Sequence, residues 1–108
     1  MAWSVETLDQ RVDEELLALP ADMQARFLKI GELIEAKGLS GVREPHVKHL
    51  TGKLWEMRMS GRDGIARALY QAASGQRVVV VRIFVKKTQK TPQSEIDTAQ
   101  ERAKEIKT

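Results

Sequence analysis

The 108-residue chain has no cysteine, only two histidines and a single tyrosine. Without thiols there is no disulfide framework, no thiolate zinc site and no cysteine nucleophile. His46 and His49 are too few for an all-histidine metal site. No apolar run is longer than the four residues 78–81, far short of a membrane span, and the N-terminus lacks a signal-peptide pattern. Ser/His/Asp spacing and a Walker-type glycine loop are also absent. The length fits one domain, residues 1–108, large enough to bury a core without covalent staples. These absences predict a soluble, cytoplasmic protein with no membrane partner and no cofactor.

What the chain does have is charge, unevenly spread. The net charge is +3. Residues 1–42 carry 4 basic and 8 acidic side chains, whereas residues 43–91 carry 11 basic and 3 acidic ones. Residues 92–108 carry 3 and 4. The middle therefore stands at +8 between a first part at −4 and an end at −1. Such a centre suits either a face for a polyanion or solvated strand faces.

Residues 2–6 alternate Trp3 and Val5 and read as a short strand. From Asp9, helix spacing places Val12, Leu16, Leu17 and Leu19 together, and Pro20 closes the segment. Residues 21–37 form a second helix with a stripe of Met23, Phe27, Ile30, Leu33 and Ile34, stopped at Gly38. The short link predicts an antiparallel helical hairpin. Residues 38–52, with three glycines and Pro45, read as a loop carrying His46 and His49. Strands are expected at 53–59, 65–72 and 77–86 as an antiparallel meander. A final helix over 92–107 would have Thr91 as its N-cap. The expected order is βααβββα, an α+β domain with helices on a small, mainly antiparallel sheet.

Strand alternation puts Val79, Val81, Ile83 and Val85 on one face of the last strand. Val80, Arg82, Phe84 and Lys86 fall on the other. Basic and aromatic side chains on one sheet face fit nucleic acid, with charge for phosphate and a ring for stacking. Equally, Phe84 could pack under the last helix with Arg82 lying over it. In residues 84–92, Lys86, Lys87 and Lys90 leave a strand and meet a helix N-terminus, an arrangement that would hold a phosphate group.

Three stretches carry a family likeness: KHLTGKLWEMR at 48–58, RALY at 67–70 and FVKKTQKTP at 84–92. In this order and spacing they resemble toxins of the RelE/ParE superfamily, within its HigB-like, phage-derived branch. The resemblance covers essentially the whole chain. It implies the toxin of a toxin–antitoxin pair, an mRNA endoribonuclease (mRNA interferase) acting on ribosome-bound mRNA. It also implies neutralisation by an antitoxin with a helix-turn-helix domain. The implied chemistry is metal-free: the ribose 2′-OH attacks the adjacent phosphate and leaves a 2′,3′-cyclic phosphate. Transferred by motif position, Arg58 and Arg67 would stabilise the phosphate, and Lys86 or Lys87 would be the acid or base. Tyr70 and Phe84 would stack on bases, and Lys48 and Lys53 would anchor phosphates or ribosomal RNA. Relatives use a C-terminal tyrosine or histidine, but here no Tyr follows Tyr70 and no His follows His49. The base therefore stays open among a lysine, His46 and His49. The other implied activity is ParE-like inhibition of DNA gyrase, which needs no general base.

Overall fold

Asp9 starts the first helix as its side chain suggests. In the computed structural model, which describes residues 3–42, 46–86 and 90–107, the Asp9 carboxylate accepts from the Arg11 backbone N–H at 3.0 Å. The bonded Arg11 guanidinium holds that carboxyl below its ordinary pKa. Helix α1, Gln10–Leu17, buries Val12, and α2, Ala21–Lys37, buries Met23, Phe27, Ile30 and Ile34. Both helices lie on one face of the sheet, α1 along β5, Arg77–Lys86, and α2 along β3, Leu54–Gly61.

Gly38 ends α2 at φ 77° and ψ 173°, a region essentially reserved for glycine. A Cβ there would also stand 3.2 Å from the Trp3 ring. Gly38→Ala is expected to cost about 1–3 kcal/mol, read as a lower urea midpoint. A midpoint equal to the parent's would show that the chain bends there without strain.

The five strands are ordered β1-β5-β4-β3-β2. β1, Ser4–Thr7, runs parallel to β5, while β2, Val47–Thr51, β3, β4, Gly64–Ala73, and β5 pair antiparallel. This is the expected α+β layout with one strand more. The described residues of 38–52 include a 3-10 turn, Leu39–Gly41, and then β2. β2 shows little alternation because it is an edge strand with Lys48, His49 and Thr51 exposed; pairing with β3 overrides its loop-like composition. Gly52, at φ 54°, makes the tight turn between the two. His49 is thus a strand residue.

The last strand departs from alternation. The β4–β5 register slips between Leu69, opposite Arg82, and Tyr70, opposite Val80. The extra residue is a bulge, which moves later side chains to the other face. Ile83 therefore joins Val78 and Val80 in the core under α1 and α2. Val79, Val81 and Phe84 join Leu54 and Leu69 in a second core under α3, Gln93–Ala103. Val85 belongs to neither cluster and is 45% exposed. The expected face of Val79, Val81, Ile83 and Val85 is corrected accordingly.

Strand β1 stops at Thr7, leaving the β5 edge open beyond Val80. Side chains cover it instead. Glu15 accepts from the Ile83 N–H at 2.9 Å, and Arg102 donates to the Val81 carbonyl at 2.9 Å. Arg82 sits between Glu95 and Glu15, each at 2.6 Å.

Candidate functional site

The β3–β4 register sets Arg58 directly opposite Arg67 and Glu56 opposite Leu69. Two arginines facing each other across a ladder repel. The nearest remedy is a carboxylate on the same strand face, and Glu56 supplies it by alternation. It is completely buried. It accepts from Arg58 Nε at 2.8 Å and from the Thr91 hydroxyl, and lies 3.8 Å from Arg67 Nη1. Arg67 in turn donates to Thr91 Oγ1 at 2.9 Å. Thr91 therefore joins the two charges and fixes the chain just ahead of α3. It is not the expected N-cap, since Pro92 occupies that position.

Above this network opens a cleft of about 650 Å³. Lys48, His49, Arg58, Arg67, Lys90 and Thr91 contribute to its lining. Four cations thus border one concavity that no carboxylate lines among the described residues, with Glu56 sealed beneath it, an arrangement that suits an anion. Arg58 has its side chain 28% exposed. Its Nε is held by Glu56, and among the described residues no partner holds its two Nη groups. Arg67 is 1% exposed, so it acts from the cleft floor and offers almost no contact surface. His49 places Nε2 at 2.8 Å from the Gly52 carbonyl. A carbonyl only accepts, so neutral His49 carries its hydrogen on Nε2 and leaves Nδ1 with a free lone pair. Among the described residues, no three His, Asp or Glu side chains gather as a metal site.

The other expected site residues are dispersed. Lys86 ends β5 opposite Ile65, which lines the cleft; Lys87 lies outside the described residues. His46 takes part through its backbone, accepting from the Arg58 N–H. Tyr70 is 3% exposed in the core under α1 and α2, and burial pushes its phenol pKa up. It is neither a surface stacking platform nor a proton carrier near neutrality. Phe84 is 9% exposed and packs under α3 with Leu69, Val79 and Val81. Arg82 is held by two carboxylates, and its hydrogen bond to Glu95 raises its pKa first of all. Tyr70 and Phe84 are thus packed and Arg82 is ion-paired, where a stacking or phosphate contact with RNA calls for an open face. Lys53 lines a separate cleft.

Glu56, Thr91 and Trp55 were not singled out as site residues from the sequence. The available signal for Glu56 was a lone carboxylate two residues before Arg58 in a strongly basic stretch.

The family model described as Phage derived protein Gp49-like (DUF891) matches residues 14–104. The chain belongs to this family. The match runs from α1 through α3 and takes in every described residue of the cleft. This Gp49-like chain is also similar to a chain of the crystal structure of the archaeal RelE–RelB complex from Pyrococcus horikoshii OT3, at 25% identity. That similarity covers 79% of this chain and 96% of the other, with a TM-score of 0.57. No curated protein matches. The RelE-like superfamily indicated by the three sequence stretches is thus the one found. No described helix of the Gp49-like chain is long and apolar enough to cross a membrane.

Proposed function

We propose that this Gp49-like protein is the toxin of a toxin–antitoxin pair. In this reading it is a cytoplasmic, metal-independent endoribonuclease of the HigB type, which cuts ribosome-bound mRNA and so inhibits translation. A helix-turn-helix antitoxin neutralises it. One observation carries the reading: Lys48, Arg58, Arg67 and Lys90 border a single cleft with His49 at its rim. The similarity to the RelE–RelB complex supports the antitoxin partner.

The chemistry follows from the groups present. The scissile phosphate sits against Arg58, whose planar fork matches its oxygens. A base from among His49 and the lysines takes the proton from the ribose 2′-OH. The new O2′–P bond forms as the P–O5′ bond breaks, giving a 2′,3′-cyclic phosphate and a 5′-hydroxyl. Arg58, with Arg67 beneath it, neutralises the charge growing on the phosphorane. A lysine ammonium, from Lys90 or Lys86, protonates the departing O5′.

Primer extension on a defined mRNA, with protein alone and with programmed ribosomes, is expected to show new 5′ ends only when ribosomes are present. Cleavage without ribosomes would make it a free-RNA nuclease. Intact mRNA in both reactions, from folded protein that is toxic in cells and induces DNA-damage signalling, would replace the nuclease with a ParE-like gyrase inhibitor.

A further inference from the structure

The two rings expected to stack on RNA are buried, yet one large aromatic is not. Trp55 on β3 is 39% exposed. His49, its cross-strand partner on β2, meets it edge to face with ring centroids 5.0 Å apart. The His49 ring is itself tied to the Gly52 carbonyl, so the indole edge is braced by a fixed neighbour. Trp55 opens onto a second cleft, about 950 Å³ in volume, on the α1–α2 side of the sheet. Its walls include Leu39, Val42, Val47 and Tyr70, its cations are Lys48 and Lys53, and among the described residues no carboxylate lines it.

The two clefts are distinct but share two lining residues. Lys48 and His49 line both, so they meet over the edge strand β2. A strand of RNA whose phosphate lies on Arg58 would cross β2 and bring a neighbouring nucleotide to Trp55. We propose that this second cleft is a nucleobase subsite, where an unpaired base adjacent to the bound phosphate stacks on Trp55. Lys48 and Lys53 hold the flanking phosphates. This rests on the endoribonuclease reading and extends it by naming where a base is held.

The physics favours a base there. An exposed indole already fixed by a neighbouring ring loses little freedom when covered. Every base offers a π-face, so stacking of this kind tolerates sequence while adding affinity. The lysines supply the charge that a stacked nucleotide brings with it. An apolar peptide would use the walls but not the join to the cationic cleft, which is why RNA is the occupant argued for.

The test uses the full chain and an uncleavable probe, a 2′-O-methyl pyrimidine hexanucleotide with one internal 2-aminopurine, whose fluorescence falls on stacking. The parent protein is expected to bind and quench it. Trp55→Phe should keep the quenching, since a smaller ring still stacks. Trp55→Leu should abolish it and weaken binding about tenfold. Trp55→Leu that binds and quenches like the parent, while Lys48→Ala and Arg58→Ala weaken binding, would overturn the subsite and leave the RNA reading standing. Failure of the parent to bind the probe, free or on ribosomes, would remove the RNA reading itself. If Trp55→Leu leaves RNA binding intact but no longer co-purifies with a co-expressed antitoxin, the cleft is a protein site and the proposal fails.

Discussion

Glu56→Ala is expected to lower the free energy of unfolding by about 3–5 kcal/mol, seen as a fall in urea midpoint with an unchanged slope. The size follows from what the substitution leaves behind. Glu56 is completely buried, and Arg67, whose Nη1 lies 3.8 Å from it, is 1% exposed. Removing the carboxylate takes a counter-charge from a cation in a poorly solvated place that faces a second arginine across the ladder. Thr91 also loses the acceptor for its hydroxyl, so the start of α3 is released from β3. Since domains of this size are held by only about 5–15 kcal/mol, the loss is a large fraction of the total. Glu56→Gln, which keeps an acceptor but not the charge, should lose less. The paired change Glu56→Leu with Arg67→Met removes both charges at similar volume and should recover most of the stability. A Glu56→Ala protein within about 1 kcal/mol of the parent would mean that Glu56 is not the counter-ion holding the two arginines.

That network explains what the sequence did and did not disclose. Helix α2 was legible to the residue, because the stripe of Met23, Phe27, Ile30 and Ile34 and the stop at Gly38 are local signals. Simple alternation, again a local signal, sets Glu56 and Arg58 on one face of β3. Strand β2 was hidden because an edge strand needs no apolar alternation, so Lys48 and His49 looked like loop residues. The bulge on β5 was hidden for a different reason. Four consecutive valines give no mark of where the register slips, and the slip decides which core Ile83 and Phe84 enter. Arg82 and Tyr70 were misplaced because their partners, Glu15 and Glu95 for one and the α1–α2 core for the other, are distant in the chain. The resemblance gave Arg58 and Arg67 one shared task at the phosphate, but their burial differs: Arg67 is beneath the surface and Arg58 is on it.

Arg58→Ala is accordingly expected to slow RNA cleavage about 10²–10³-fold in single-turnover assays, while folding stability changes far less than in Glu56→Ala. Arg58 is partly exposed, and its loss leaves Glu56 still facing Arg67 and Thr91, so no buried charge is orphaned. In the proposed reaction, what disappears is the planar donor group that would meet the developing phosphorane charge. Its Nε is committed to Glu56, which fixes the guanidinium before any ligand arrives. Arg58→Lys should recover little, because one ammonium cannot hold the carboxylate and present two parallel donors to a phosphate. Lys48→Ala should behave differently: weaker binding at low salt and a salt dependence shallower by about 0.7 in log–log slope, with the bound rate nearly kept. The contrast separates a group that acts on the transition state from one that only attracts the strand. Equal bound rates for Arg58→Ala and the parent would put the reacting phosphate elsewhere on the basic surface. A rate loss in Arg58→Ala together with a shallower salt slope in Lys48→Ala would assign the two ends of one cleft their separate tasks.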